Sequence, residues 1–324
     1  MIPVVLLAAI FVLPFLSFAQ DPALRSRAVA LMERTHAVSA SPNLPNLERV
    51  DTFTIFDPRA RARQGSFTRV VIQGAGRRDE IQFGDYHLLN VYSDGGTRLA
   101  STGPRSVVPP EVVTIMSLTP IRLLNFDQTD VIRSIVDKEP GGRPAHCIEF
   151  DTIVGENRED NEICVDTAEG MLLSARLRDH LTEYSNFFPF AGAFLPGKIV
   201  YSERGAQMIE ITQTMTVLTN VNSSVLEAPP GSAMFYRCTT ARRAIGQFMP
   251  QPEPGRGGRD WDVMLRGRIG EDGRVHDALV QSSERTDLEA EALELIGQWT
   301  FLPPMCNGRP NSSEATFVLH FHAR

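Results

Sequence analysis

Beyond residue 20 the chain has no apolar run that approaches bilayer-spanning length, because charges or prolines interrupt every candidate. Past that point the chain reads as soluble, or attached to a membrane only peripherally. A basic surplus is missing too: 32 Lys+Arg stand against 39 Asp+Glu, a net charge of -7, so nucleic acid is not an expected partner. Closely spaced cysteines are absent. None of Cys147, Cys164, Cys238 and Cys306 has a second cysteine nearby, which argues against a metal site of the zinc-finger type. No His-Glu-x-x-His, Gly-x-Ser-x-Gly, P-loop or dinucleotide fingerprint occurs, and the seven histidines are scattered. The sequence therefore nominates no catalytic residue, no cofactor and no metal, and a non-enzymatic protein is expected. Internal repeats and low-complexity tracts are also lacking.

What is there is a globular composition, 42% hydrophobic and 22% charged, with length enough for two domains. Met1 to Gln20 holds no charged side chain and stops abruptly at Asp21. Small residues at Ser17 and Ala19 fit a signal peptidase site, so cleavage after Ala19 and export to the periplasm or beyond are expected, with an uncleaved anchor as the alternative. An even number of cysteines in an exported chain points to two disulfides.

Residues 22 to 38 place Leu24, Ala28, Leu31 and Met32 on one helical face with arginines opposite, and Pro110-Glu111 offers a first turn for a helix over 109 to 117. Strand patterns recur at 50 to 56, 66 to 73, 80 to 84, 87 to 92, 146 to 153, 162 to 166, 198 to 203 and 207 to 218. The clearest hairpin joins HCIEFDTI to NEICVD through the polar turn GENRED, and Cys147 and Cys164 on one face would staple it. The Pro/Gly-rich stretch 231 to 260 reads as a linker. The expected class is α+β: a β-rich domain over 20 to 230, as an antiparallel sheet or half-barrel with one or two helices, followed by a small module over 261 to 324.

That module reads as strand, Asp-Gly turn, strand, helix, strand. Thr286 to Glu289 fits a capping box, and Leu288, Ala292, Leu295, Ile296 and Trp299 share one helical face. In the last strand Phe317, Leu319 and Phe321 share a face, and Thr316, Val318, His320 and His322 point away from it. GRIGEDGRVHDALVQSSERTDLEAEALELIGQWTFLPPMCNGRP followed by ATFVLHF closely resembles the TonB C-terminal domain family. The resemblance implies a ββαβ fold whose exposed border strand, here Thr316, Val318, His320 and His322, pairs with an extended peptide from an envelope protein or outer-membrane receptor. Two departures are visible. The retained motor-engaging helix and the long Pro/Lys-rich spacer of energy transducers are not seen, so energy transduction is not expected, and PQPEPGRGGRDWDV stands in place of the family's Tyr-Pro entry segment. Cys238 and Cys306 would then tie the linker to the Asn307-Gly308 turn.

The N-terminal region also weakly resembles, in architecture, the half-barrels of periplasmic lipoprotein carriers. That resemblance implies an apolar concave face able to hold an acyl chain or a peptide, against which stands an ordinary filled core. Three further features are read as structural: His320 and His322 lack the carboxylate or cysteine that would complete a metal site, the acidic run at Glu156, Glu159, Asp160 and Glu162 is a solvated hairpin tip, and Gly255 to Gly258 is linker.

Overall fold

The computed structural model describes residues 21–39, 44–56, 62–84, 86–93, 98–102, 108–118, 125–155, 157–230, 233–236, 240–252, 260–283 and 285–322. The expected signal segment lies outside them. Along the chain come α1 (Pro22–Ser39), β1 (Leu47–Ile55), β2 (Arg63–Ile72), β3 (Gly76–Phe83), β4 (Tyr86–Ser93), β5 (Arg98–Thr102) and α2 (Pro110–Leu118). Next are β6 (Asp130–Lys138), β7 (Ala145–Val154), β8 (Asn157–Asp166), β9 (Leu172–Leu177), β10 (His180–Ser185), β11 (Phe188–Phe190), β12 (Ala193–Leu195), β13 (Lys198–Glu203) and β14 (Ala206–Val217). Last are β15 (Ala233–Tyr236), β16 (Ala241–Arg242), β17 (Ile245–Phe248), β18 (Trp261–Ile269), β19 (Val275–Ser283), α3 (Glu289–Gln298), β20 (Thr300–Leu302), β21 (Met305–Cys306), β22 (Arg309–Pro310) and β23 (Ser313–Phe321). The class is α+β, strand-rich with few helices. No described helix is long and apolar enough to cross a membrane.

Two compact units are each drawn from two separate stretches: Met1–Thr35 with Leu124–Arg178, and His36–Leu123 with Asp179–Arg324. In the first unit β6, β7, β8 and β9 form an antiparallel meander. Cys147 and Cys164 face each other across β7 and β8 and are bonded, with S–S 2.06 Å and Cα–Cα 4.0 Å. The hairpin tip is tighter than GENRED implied, because Val154 already pairs with Asn157 and Gly155 turns the chain at φ 62°. Of the acids expected to be solvated there, Glu156 lies outside the described residues, and Glu159, Asp160 and Glu162 are held by cross-strand cations. Asp160 accepts from Arg133 and from Arg176 (2.8 Å), Glu159 meets Arg178 at 2.5 Å, and Lys138 bridges Glu149 (2.9 Å) and Glu162. In α1, Ala28, Met32 and Thr35 are buried. Its arginines do more than face solvent: Arg25 donates to the carbonyls of Asp130 and Asp127 at 2.8 and 2.7 Å, and Arg34 to those of Thr167 and Ala168.

In the second unit an antiparallel sheet runs in the order β15-β5-β4-β3-β2-β1-β14-β13-β10. One face carries Phe53, Phe67, Ile81, Tyr86, Ile199 and Ile211, all buried, and α2 closes over it with Val112 and Ile115. Arg63 on β2 holds Glu111 of that helix at 2.6 Å. Phe53 needs space opposite Gly65, where a Cβ would come within 2.4 Å of its ring. Burial alternates strictly on β1, so Arg49 and Asp51 share the inward face with Phe53 and Ile55. Arg49 Nε and Nη2 donate to the two Asp51 carboxylate oxygens at 2.9 and 2.7 Å, both residues being at most 2% exposed.

Within the stretch 231 to 260, read as a linker, the described residues are not bare: β15 pairs with β5, β16 with β21, and β17 with β20, while Gly255 to Gly258 lie outside the described residues. Each of these is a two- to four-residue strand, short enough to fit between the prolines and glycines that dominate the local composition.

Candidate functional site at the C-terminal sheet border

The C-terminal sheet is three-stranded, in the order β19-β18-β23. β18 is its centre because every second residue is apolar: Val263, Leu265 and Ile269 are buried, and Gly267 leaves room for Val275 and Phe317. α3 lies against this face through Ala292 and Ile296, with Trp299 set edge-on to Phe317 at 5.9 Å. The helix starts later than its sequence suggests. Thr286–Leu288 is a 3-10 turn, Leu288 occupies the cap without a side-chain bond, and Asp287 is drawn away by Arg285 at 2.5–2.7 Å. Gly273 fixes the preceding turn: its φ is +73°, its carbonyl accepts from the Phe301 amide at 2.8 Å, and a Cβ would lie 2.1 Å from the Phe301 oxygen.

β23 pairs with β18 from Trp261↔Phe321 to Ile269↔Ser313 without a register shift. Phe317, Leu319 and Phe321 enter the core, while Thr316, Val318 and His320 project from the other face of the strand and His322 comes just past its end, exposed. That face is a row of cross-strand polar pairs. His320 Nδ1 lies 2.7 Å from Asp262, His322 Nδ1 lies 3.4 Å from Asp260, and Arg266 holds Glu314 at 2.5 Å. Two carboxylates thus stand beside the histidines, but each serves its own imidazole and the ring centroids are 6.4 Å apart. Among the described residues, the metal-ligating types that converge are Cys147, Glu162 and Cys164, whose sulfurs are joined in the disulfide.

The two borders of the sheet differ. β19 carries two register shifts against β18, Asp277 within it has φ +52°, and a bridge from Arg274 to Thr300 covers its start. A bulged border is a poor template for an added strand. Along its outer side β23 has no strand partner among the described residues. Of the other sequence-nominated residues, Cys306 is disulfide-bonded and Cys238 lies outside the described residues. Beside it, Ala241–Arg242 pairs with Met305–Cys306, and Thr240 exchanges hydrogen bonds of 2.9 and 3.0 Å with Asn307.

Sequence reasoning missed the ribbon of β17 and β20, which extends the module backwards to Ile245. Its signal was the apolar pair Ile245 and Phe248 between arginines and prolines.

Solved structures similar to this chain include an outer membrane lipoprotein-sorting protein domain from Vibrio parahaemolyticus (9% identity, 62% of this chain and 97% of that one, TM-score 0.39). Others are a LolA superfamily protein from Nitrosomonas europaea (12%, 61% and 96%, TM-score 0.35) and a DUF1329 family protein from Desulfovibrio piger (11%, 62% and 96%, TM-score 0.40). No curated protein sequence matches the chain. Residues 242–323, which contain β17 through β23 and the border just described, match the family of the Gram-negative bacterial TonB protein C-terminal.

Proposed function

We propose that this chain is an exported, non-enzymatic cell-envelope protein whose C-terminal module binds a partner protein by accepting an extended segment along the outer side of β23. The observation that carries the reading is the contrast between borders: nine unshifted residues on β23 against a bulged and partly covered β19. A border strand presents amide and carbonyl groups that a second chain satisfies through main-chain hydrogen bonds, while outward side chains select among sequences. Thr316, Val318, His320 and His322 are the side chains positioned for that selection. The match of residues 242–323 to the TonB family supports a partner in the envelope, including an outer-membrane receptor peptide. Hydrogen exchange during titration with a library of extended peptides tests this. Slowed exchange at alternate amides of residues 313–321 is expected, and a library that slows none of them while the protein is folded sinks the reading.

A second reading, a carrier of a lipid or other hydrophobic ligand with the C-terminal module as its docking arm, draws on one feature. Among the described residues, the nine-residue helix α2 closes the apolar face of the large sheet in the second unit. Native mass spectrometry of protein purified from envelopes separates the two, since a carrier retains co-purifying lipid.

A further inference from the structure

The ribbon that opens the C-terminal module has its apolar residues on the wrong side for a core. Ile245 pairs with Leu302 and Phe248 with Thr300, with a register shift between Gly246 and Phe248. Positions 302 and 300 are two apart on β20, so their side chains share a face, opposite to Phe301, which packs against the module core. The extra residue, Gln247, is what brings Phe248 back to the same side as Ile245. Met249 folds over Gly246, with its sulfur 2.6 Å from where a Cβ would sit. The result is an outward cluster in which Ile245 is 53% exposed, Phe248 59% and Leu302 46%, while Met249 lies on the other face over Gly246.

Along the sequence, the segments that build it are equally unusual in charge for this chain. Between Glu227 and Glu253, and again between Glu294 and Glu314, there is no acidic residue, although the whole protein carries -7. Arg242, Arg243 and Arg309 are exposed, and none of them makes an ion pair among the described residues. Elsewhere arginines are habitually matched to carboxylates, as Arg69 to Asp79, Arg143 to Asp166 and Arg266 to Glu314 are. Arg242 pairs in backbone register with Met305 and Arg309 with Cys306 in the short sheet β16-β21-β22, whose strands β16 and β21 stand two residues before β17 and two after β20 in sequence.

We infer that this ribbon is a membrane-docking surface, which seats Ile245, Phe248 and Leu302 at the interface of an anionic lipid leaflet while Arg242, Arg243 and Arg309 meet lipid phosphates. Protruding apolar side chains beside unpaired guanidinium groups fit a soft anionic interface, because the headgroup region takes up both without a preformed pocket. A chain of net charge -7 is otherwise repelled by such a surface, so this face would also set its orientation.

The test uses the chain from Asp21 onward, which keeps every described residue. Binding is read by flotation with vesicles of phosphatidylethanolamine and phosphatidylglycerol, and with vesicles of phosphatidylcholine alone. Binding to the anionic vesicles is expected, weakening as salt is raised. Each arginine near an anionic surface is worth roughly a fivefold change in affinity, so Arg242→Gln with Arg243→Gln should weaken binding more than about tenfold. Phe248→Ser with Leu302→Ser should weaken the part that salt leaves behind. Equal circular dichroism melting of the arginine variant and the parent checks that the fold is intact. Absence of binding to anionic vesicles overturns the inference, as does binding that the arginine variant leaves unchanged. It is also overturned if the variants abolish a concentration-dependent dimer or a protein contact while vesicles are never bound.

Discussion

Arg49 and Asp51 carry opposite charges into the interior of the second unit, and neither is stable there alone. Burial pushes the Asp51 carboxyl up and the Arg49 guanidinium down, each opposed by the other's charge and hydrogen bonds. Breaking a buried pair strands a charge, whereas replacing both members by apolar groups is often close to neutral. Arg49→Met should therefore cost about 3–5 kcal/mol in urea denaturation, and Arg49→Met with Asp51→Leu should recover most of it. The Cys147–Cys164 bond acts through the unfolded chain, so Cys147→Ala with Cys164→Ala should lower stability by about 3 kcal/mol for a loop of that size. The staple was legible because both cysteines lie at matching positions of two alternating strands. The buried pair was not, since Arg49 and Asp51 look like the solvent face of LERVDTFTI until the partner strands decide which face is inside.

At the scale of elements, alternation found the strands it describes and lost those it does not. β1 to β4, β7, β8, β13 and β14 announce themselves by spacing, but β9, Leu-Leu-Ser-Ala-Arg-Leu, is buried over four consecutive residues, and β10, His-Leu-Thr-Glu-Tyr-Ser, is mostly polar. α3 was readable from its apolar face, its start was not, because Asp287 bonds to Arg285 and the first turn tightens to 3-10. β23 was readable as a strand from Phe317, Leu319 and Phe321, but its position at a border is set by pairing with β18, which no local pattern encodes. A lysine on the outer face of a border strand discourages further pairing. Val318→Lys, at a position only partly buried, should therefore weaken peptide binding at least about tenfold while changing the melting temperature little, as read by fluorescence anisotropy and circular dichroism.

For the molecule as a whole, charge pairing in the first unit makes stability depend on pH. Hydrogen bonds from Ser134 and Lys138 hold the Glu149 carboxyl below its ordinary range. Asp160 is also lowered: burial raises it, but Arg176 and Arg133 together outweigh that. A depressed carboxylate contributes stability that is present above its unfolded pKa, about 4 for these side chains, and lost as pH falls through the folded value. Lys138, raised by hydrogen bonds to Glu162 and Glu149, contributes below its unfolded pKa and loses that contribution as pH climbs through the folded one. Denaturation midpoints should be level between these limits, drop on the acid side, and drop less in high salt, because the partners are partly exposed. The topology of the second unit sets a different kind of limit. β1 lies between β2, its neighbour in sequence, and β14, and Leu47 meets Val217. Residues 124–178 belong to the other unit and come before β14 in sequence, so the flank of β1 that β14 fills stays open until the chain beyond them is made. As the chain emerges, its early hairpins stand with one flank of β1 unsatisfied, so the nascent protein is a sticky half-product whose rescue depends on how soon its own far end follows.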